Sequence, residues 1–312
     1  MERLNFVLPD FTRVSWVSET ARTVWENRFT RLIQVWQILE WQSVKSGLRA
    51  CGILVLSPTQ LITLASEWIT HGLVSLPLEV QSIAQYANAS ALLQVTGETP
   101  FLLRVAVGYP VAIQTLQQAI TQQDEASISQ LLGYPACCYH AFHQYCTEQN
   151  YLDMTWHSAL ASQQPSNADT QLIELPPRIE TNLFWQALGL RLIPHHPCRY
   201  DCPASVELGR QMGQLMQTLG FTEEWQWLQT LLNFPVAWSV LHGIAEIKTP
   251  LLKIATTSDA TSIKYSVHYQ GQTYPTEGGQ GLEFPYRLAR QPVLTQSPSF
   301  QRGLAHQLER RS

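Results

Sequence analysis

Charged side chains are scarce in this sequence: Asp, Glu, Lys and Arg make up 14% of its 312 residues. The 20 basic residues are scattered, no Lys/Arg run resembles a phosphate-binding stripe, and the formal net charge is −4. Because nucleic-acid binding depends on clustered positive charge, we expect no nucleic-acid partner. The apolar runs are also too short to span a bilayer, so we expect no membrane partner.

Several familiar motifs are missing as well. The chain has no Gly-rich phosphate loop, no nucleophile elbow and no His-Glu-x-x-His helix. Its first residues lack the charged region and apolar core of a secretory signal, which predicts a cytoplasmic protein. The chain does have a hydrophobic fraction of 45%, which is enough to fill a substantial core.

Hydrophobic periodicity predicts a largely helical body. Apolar residues recur every three or four positions over residues 18–45, the period of a long helix with one buried face. Ser57, Pro58 and Gln60 form the capping pattern of a second helix that ends near residue 71. Further helices are predicted at residues 80–95, 110–123, 125–132, 180–188, 204–219 and 222–232.

Strand-like runs lie towards both ends of the chain. Residues 52–56 and 101–107 have the length and residue types of buried strands. Residues 251–255 and 262–269 alternate in polarity, and a hairpin turn at residues 270–271 follows, which predicts a small antiparallel sheet. The predicted fold class is α+β. Its parts are an N-terminal α/β portion (1–130), a helical cysteine-cluster region (131–240), an antiparallel β element (241–290) and a disordered tail (291–312).

The six cysteines are unevenly spread along the chain. A reducing compartment keeps ordinary cysteines as thiols, so clustered ones indicate metal binding or chemistry. Cys51 lies in an apolar run and Cys146 lies on the apolar face of a predicted helix, which favours burial in the core for both. The other four form two groups, at residues 137–138 and 198–202.

Both groups lie where a helix is predicted to begin. Gly133 ends one helix and Pro135 suits the first position of the next, so Cys137 and Cys138 fall in its first turn. Pro203 places Cys202 near the N-cap of another helix in the same way. The helix dipole favours an anion there by roughly 0.3–1 kcal/mol, so thiolates are expected at both positions.

The two groups predict one shared metal centre. If the helix starts face each other, the sulfurs of Cys198, Cys202 and one or both of Cys137 and Cys138 surround a single point. Adjacent residues on a helix point about 100° apart. We therefore expect only one of Cys137 and Cys138 to bind a small ion, while the other packs.

Neighbouring polar residues refine this prediction. His195 and His196 adjoin Cys198 and are expected to act as a ligand or as a hydrogen-bond donor to one. An iron–sulfur cluster is wider than one ion, and two helix starts and Arg199 would offset its negative charge. We therefore predict an iron–sulfur cluster first and zinc second.

Three functions are compatible with the pattern. The first is a metalloprotein whose open coordination position binds a small-molecule substrate, in redox or sulfur-transfer chemistry. The second is a metal-free enzyme in which Cys137 and Cys138 are catalytic nucleophiles resolved by Cys198 or Cys202. The third is a non-catalytic module in which zinc joins two halves of the chain.

Two known cysteine signatures do not fit. The spacing Cys198-x3-Cys202-x2-Ser205 differs from the triplet of radical S-adenosylmethionine enzymes, because serine replaces the third cysteine and no barrel strand precedes it. The zinc deaminase signature also fails, because no His-x-Glu precedes a Pro-Cys-x-x-Cys run.

Two short segments carry a resemblance to a known family. Leu-Leu-Gly-Tyr-Pro-Ala-Cys-Cys at 131–138 and Pro-Cys-Arg-Tyr-Asp-Cys at 197–202 resemble sequences of the domain of unknown function 483 family. The resemblance covers about 75 residues, from Leu131 to Ser205, and implies no settled activity. The site residues that it implies are Gly133, Tyr134, Pro135, Cys137, Cys138, Pro197, Cys198 and Cys202.

Overall fold

The computed structural model describes most of the first 233 residues and short strands beyond them. The described ranges are 3–7, 12–16, 19–82, 101–148, 154–163, 172–183, 189–233, 236–239, 244–248, 252–257, 266–268, 276–277, 282–283 and 287–288. The predicted turn at 270–271 and the predicted tail at 291–312 lie outside these ranges. Helices and antiparallel strands together give an α+β protein, which confirms the predicted fold class.

The helices predicted at residues 18–45, 110–123, 125–132, 204–219 and 222–232 are present, as are those that begin after Ser57 and Pro135, whereas the sequence does not predict the helix at Thr155–Ser162. The described helices are α1 (Glu19–Lys45), α2 (Pro58–Thr70), α3 (Pro110–Gln122), α4 (Glu125–Leu131), α5 (Ala136–Phe142), α6 (Thr155–Ser162), α7 (Pro203–Thr218) and α8 (Thr222–Leu232). A π-helical turn, His143–Glu148, continues directly from α5.

Apart from the strand Leu172–Leu175, the described strands lie before residue 109 or after residue 235. The described strands are β1 (Arg3–Val7), β2 (Thr12–Trp16), β3 (Cys51–Leu56), β4 (Val74–Ser82), β5 (Phe101–Gly108), β6 (Leu172–Leu175), β7 (Val236–Ser239), β8 (Ile244–Lys248), β9 (Leu252–Thr257), β10 (Ser266–His268), β11 (Thr276–Glu277), β12 (Leu282–Glu283) and β13 (Arg287–Leu288).

Helix α1 connects two hydrophobic cores. Its first part, including Phe29 and Leu39, packs in one core with apolar residues of α6, α7 and α8. Its last part, including Trp41 and Val44, packs in a second core with α2, β3 and β5. At 27 residues the helix is about 40 Å long, so a single rigid element holds the helical body against the N-terminal sheet.

The N-terminal sheet is the middle layer of three, because helices cover both of its faces. Strand β5 lies between β3 and β4 and is antiparallel to both. Helices α1 and α2 cover one face of the sheet, and α3 and α4 cover the other. Ser57 caps α2 as predicted, because its hydroxyl accepts from the Gln60 backbone N–H while the Gln60 side chain accepts from the Ser57 backbone N–H.

A second sheet joins distant parts of the chain. Its strand order is β2-β9-β8-β7-β6, and each neighbouring pair is antiparallel. Of the two strands predicted from the C-terminal alternation, residues 251–255 overlap β9 of this sheet, whereas residues 262–269 contain β10, which belongs to another sheet. Strand β1 pairs in the same way with β10 and β13.

Two predicted helices are wrong where the structure describes them. Residues 80–82, the start of the helix predicted at 80–95, belong to β4, because backbone pairing with β5 outweighs local helix preference. Residues 180–183, the start of the helix predicted at 180–188, are not helical. There, the Thr181 and Asn182 side chains hydrogen-bond to the backbone of Tyr200 and Leu232, so contacts with distant segments set the conformation.

None of the helices within the described ranges has both the length and the apolar character needed to cross a bilayer.

Candidate metal centre

The first cysteine segment, residues 132–138, consists of the turn that follows α4 and the first residues of α5. Gly133 adopts φ +74°, a left-handed conformation that glycine takes at little cost after a helix end. Pro135 is the N-cap of α5, so Cys137 and Cys138 lie in its first turn as predicted. Cys138 is buried, whereas Cys137 is exposed. The segment thus contributes one buried cysteine and one exposed cysteine.

A buried ion pair supports this turn from below. Arg49 and Glu40 are both almost fully buried, and their side chains lie 2.7 Å apart. The Arg49 guanidinium also donates to the Ser43 hydroxyl and to the Glu40 backbone carbonyl. A Cβ atom on Gly133 would lie 2.6 Å from Arg49 Cγ, so the turn rests directly on the arginine stem.

The second cysteine segment, residues 197–202, is an irregular loop held by hydroxyl groups of distant residues. Ser158 donates to the Pro197 carbonyl at 2.7 Å, and Thr181 donates to the Tyr200 carbonyl at 2.5 Å. Ser162 accepts from the Tyr200 backbone N–H at 2.7 Å. These bonds satisfy backbone groups of a loop that lies outside the helices and sheets, so they determine where the loop lies.

The loop ends at the start of α7. Cys202 is the N-cap residue and Pro203 is the first residue of the helix, as predicted. Cys202 is buried and Cys198 is half-buried. Gly209 and Met212 of α7 are buried, so this helix is packed into the body and fixes the position of Cys202.

The two segments bring four sulfur atoms together. The Sγ atoms of Cys137, Cys138, Cys198 and Cys202 all lie within 4.8 Å of one another. Cys202 Sγ lies 3.7 Å from both Cys137 Sγ and Cys138 Sγ, and those two are 3.9 Å apart. The described cysteines form no disulfide. The cluster can therefore offer four soft ligands to a metal ion.

The sequence predicts that only one of Cys137 and Cys138 binds a small ion, but the structure brings the sulfurs of both residues to the cluster. Both sulfurs lie in the same cluster, although the residues are adjacent on α5. Side chains in the first turn of a helix lean towards its N-terminus. Two neighbouring thiols can therefore turn towards the space ahead of the helix, despite an angular offset of about 100° between them.

Ser205 and His195 extend the cluster inward. Ser205 Oγ lies 3.2 Å from Cys138 Sγ and 2.9 Å from His195 Nε2, and all three residues are buried. When the sulfur is a thiolate, the serine hydroxyl donates to it and accepts from His195 Nε2–H. The Cys198 backbone N–H also donates to Cys138 Sγ, at 3.3 Å. A Cys138 thiolate would thus accept from two donors.

Burial sets the protonation of the histidines. It lowers the pKa of His195 to about 3, with smaller contributions from His196 and Arg49. Burial, together with Arg191, lowers the pKa of His196 to about 4. Both rings are therefore neutral near pH 7. A neutral His195 with its proton on Nε2 can donate to Ser205, as the thiolate arrangement requires.

The pKa values of three of the cluster thiols differ strongly from one another. Burial raises the pKa of Cys198 to about 12, with nearby Cys202 and Cys137 adding to the effect. Burial also raises the pKa of Cys138. For Cys202, burial again opposes ionisation, but hydrogen bonds from Ser205, Cys137 and Cys138 outweigh it and lower the pKa to about 7. Without a cation, Cys202 is therefore the first of these three thiols to ionise.

The remaining predicted site residues lie around the cluster. The Tyr134 ring packs against His195 at 5.4 Å between centroids, and the His196 ring stacks on Phe142 at 6.3 Å. Arg199 forms an ion pair with Asp201 beside the cluster. Cys51 lies in the core, fully buried as predicted, and Cys146 is half-buried in the π-helical turn.

Sequence reasoning missed most of the residues that support the cluster. Ser205 carried a usable signal, because it lies three residues after an N-cap and can reach back to the start of its helix. The others look like ordinary polar residues in sequence, and only long-range contacts reveal their role. They are Glu40, Ser43, Arg49, Ser158, Ser162 and Thr181.

Comparison of the chain with protein-family models, with curated proteins and with solved structures gave no match. The resemblance to the domain of unknown function 483 family therefore stays a prediction.

Proposed function

We propose that Cys137, Cys138, Cys198 and Cys202 hold a single zinc ion in tetrahedral coordination. The observation that carries this proposal is the spacing of the sulfurs. A Zn–S bond of about 2.3 Å in a regular tetrahedron places the sulfur ligands about 3.8 Å apart. The three separations among Cys137, Cys138 and Cys202 are 3.7, 3.7 and 3.9 Å, and Cys198 Sγ lies within 4.8 Å of each.

The same spacing speaks against the iron–sulfur cluster that the sequence favoured. In a cubane cluster each cysteine binds a different iron, and bridging sulfides lie between the irons. The path from one cysteine sulfur to another is then longer than the two bonds through a single metal. Four sulfurs that all lie within 4.8 Å of one another fit one ion better.

Hydrogen bonds and helix geometry suit a negatively charged zinc–thiolate centre. Four thiolates around Zn²⁺ carry a net charge of −2, which needs compensation in a partly buried site. The Cys198 backbone N–H and the Ser205 hydroxyl lie at hydrogen-bond distance from Cys138 Sγ. Cys202 is the N-cap of α7, a helix of 16 residues whose N-terminus adds a favourable dipole.

The role that follows for this ion is to join two parts of the chain. Residues 137 and 138 follow the N-terminal α/β portion, whereas residues 198 and 202 lie in the helical body. A metal ion that binds both sets links segments some sixty residues apart and stabilises the folded state by its binding free energy. All four protein ligands are cysteines, which is typical of structural zinc sites.

A metal-free thiol–disulfide enzyme is the second candidate. The contact between the exposed Cys137 and Cys202, whose sulfurs lie 3.7 Å apart, favours it. In that case Cys137 attacks a substrate disulfide and Cys202 resolves the mixed disulfide. Either function suits a cytoplasmic location, where a reducing environment keeps all four sulfurs free of disulfides.

Metal analysis of purified protein tests the proposal. The protein is purified anaerobically, with and without added zinc, and zinc, iron and sulfide are measured alongside the absorption spectrum. We expect one zinc ion per chain, little iron and no visible colour. The Cys198→Ser variant should lose the zinc, and the Cys146→Ser variant, which alters a cysteine outside the cluster, should keep it.

Two results would contradict the zinc proposal. Stoichiometric iron and sulfide with broad brown absorbance would favour a cluster instead. Protein that stays metal-free in excess zinc, with thiols that alkylate rapidly, would favour the thiol–disulfide enzyme.

A further inference from the structure

The four cluster cysteines differ in how well the protein protects them. Cys138 and Cys202 are 2% and 1% exposed, and Cys198 is half-buried. Cys137 is exposed. Reagents that react with thiolates must reach the sulfur itself, so accessibility alone separates Cys137 from the two buried members.

Hydrogen bonding increases this difference. Cys138 Sγ lies at hydrogen-bond distance from the Ser205 hydroxyl and the Cys198 backbone N–H, and donors to a thiolate reduce the electron density available for attack. The contacts of Cys137 Sγ described by the structure are to the sulfurs of Cys138 and Cys202. Its lone pairs are therefore the most available in the cluster.

From this asymmetry we propose that Cys137 is the site at which peroxides and soft carbon electrophiles modify the protein, and that its oxidation releases the metal ion. This proposal rests on the proposed zinc site and names its reactants. It makes the centre a sensor of oxidants and electrophiles as well as a link between two parts of the chain. The nearest partner for an oxidised Cys137 is Cys202, 3.7 Å away.

The chemistry with hydrogen peroxide proceeds in two steps. The Cys137 thiolate attacks one peroxide oxygen, the O–O bond breaks, and a sulfenic acid and hydroxide form. The Cys202 thiolate then attacks the Cys137 sulfur, an S–S bond forms and a second hydroxide leaves. Two thiolates are oxidised by two electrons and one peroxide is reduced.

Metal release follows from the loss of ligands. A disulfide between Cys137 and Cys202 leaves only Cys138 and Cys198 as thiolates, which is too few for a four-coordinate structural zinc site. Reduction by a thiol restores both ligands, so the change is reversible. An alkylating agent removes one ligand by forming a thioether at Cys137 and expelling its leaving group, and this change is not reversed by thiols.

The test uses the full-length, zinc-loaded protein, whose zinc content is measured first. Iodoacetamide is added in limiting amount, and peptide mass spectrometry follows labelling at each cysteine over time. We expect Cys137 to be labelled at least tenfold faster than Cys138 or Cys202. In a parallel experiment with hydrogen peroxide, we expect a Cys137–Cys202 disulfide and zinc release at the same rate, detected with a colorimetric chelator. Dithiothreitol and zinc should restore the original state.

Matched controls separate this inference from the zinc proposal. Cys146→Ser should leave the rate of peroxide-driven zinc release unchanged, because Cys146 lies outside the cluster. If the protein binds no zinc, the zinc proposal fails, and the labelling order in the metal-free protein still tests whether Cys137 reacts first. If zinc is bound but Cys198 or Cys138 reacts first, the inference about Cys137 is wrong. The same conclusion follows if complete modification of Cys137 releases no zinc.

Discussion

Residues 132–138 and 197–202 each contribute two sulfurs to one cluster, but they reach it by different means. The first segment is a turn set by glycine and proline between two helices, and it rests on a buried arginine. The second is a loop without regular structure whose backbone is held by side-chain hydroxyls from distant elements. One position depends on packing and backbone conformation, and the other depends on hydrogen bonds.

This difference predicts that substitutions near the two segments will affect different properties of the protein. A change beneath the first segment should cost global stability, because the turn and the ion pair are continuous with the core. A change around the second segment should loosen the loop locally and expose Cys198 and Cys202. The zinc ion would couple the two, since it binds sulfurs from both. The four predictions below separate these effects, and each uses a matched control from the same chain.

The largest effect is expected for Arg49→Met. This change leaves Glu40 buried and without its charged partner, because both side chains are at most 2% exposed. Removing one member of a buried ion pair costs about 3–5 kcal/mol, so the free energy of unfolding should fall by that amount in denaturant titrations. Arg210→Met is the control, because the Arg210–Glu207 pair is about half exposed and its loss should cost less than about 1 kcal/mol.

A double variant tests whether the lost stability comes from the unpaired buried charge. Glu40→Leu combined with Arg49→Met removes both charges, so part of the lost stability should return. A double variant as unstable as the sum of both single changes would show that the pair itself is not what supports the turn.

The next effect concerns Gly133→Ala. The new Cβ atom would lie 2.6 Å from Arg49 Cγ, and Gly133 has φ +74°. The arginine cannot easily move, because its guanidinium is fixed by Glu40 and Ser43. We expect a loss of about 3 kcal/mol in unfolding free energy, the sum of left-handed strain and overpacking.

Gly220→Ala is the control that measures the cost of the left-handed backbone conformation without the steric contact. Gly220 has φ +87°, but a Cβ atom added to it would have none of the described atoms outside its own neighbourhood within 4 Å. Only the conformational cost of about 1–2 kcal/mol therefore applies to this variant. Equal losses in the two variants would mean that the contact with Arg49 is unimportant for the first segment.

A smaller effect is expected for Ser158→Ala. Ser158 is buried, and its hydroxyl donates to the Pro197 carbonyl, which belongs to a loop outside the helices and sheets. Leaving a buried carbonyl unsatisfied costs about 1–3 kcal/mol. In zinc-free protein we expect faster alkylation of Cys198 and Cys202 with little change at Cys137. Ser66→Ala is the control, because Ser66 makes a similar bond on an exposed helix surface; a change in labelling there would argue against a loop-specific effect.

Local signals in the sequence correctly predicted where the two helices at this site begin. Proline and glycine mark where α5 and α7 begin, and these signals correctly placed Cys137 and Cys138 in a first turn and Cys202 at an N-cap. Capping and turn preferences act over a few residues, so sequence reports them directly. The predicted long helix over residues 18–45 is confirmed for the same reason, because its period is local.

Long-range contacts explain what the sequence did not show. The hydroxyls of Ser158, Ser162 and Thr181 approach the second segment only after α6 and the residues following β6 have packed against it. The same cause turned residues 80–82 into an edge of the N-terminal sheet rather than a helix. Pairing of distant segments overrides local preference, and one sequence carries little information about it.

The smallest expected effect, on zinc affinity alone, is for Ser205→Ala. Ser205 touches both Cys138 Sγ and His195 Nε2, so its loss removes a hydrogen-bond partner from Cys138 but leaves all four proposed zinc ligands in place. Loss of such a group typically lowers metal affinity about 10- to 100-fold, and we expect the lower end, since the Cys198 backbone N–H still donates to Cys138. Competition with a chromophoric zinc chelator measures the change.

This experiment shows whether the Ser205 hydroxyl contributes to zinc affinity. Ser205 lies on α7 and hydrogen-bonds both to Cys202 of the second segment and to Cys138 of the first. Its hydroxyl is therefore a link between the segments that does not require the metal. Ser43→Ala, which removes a buried hydroxyl beneath the first segment, should lower unfolding free energy but change zinc affinity less. If Ser205→Ala binds zinc as tightly as the unaltered protein, the thiolates need no help from the hydroxyl, and the ion alone joins the two segments.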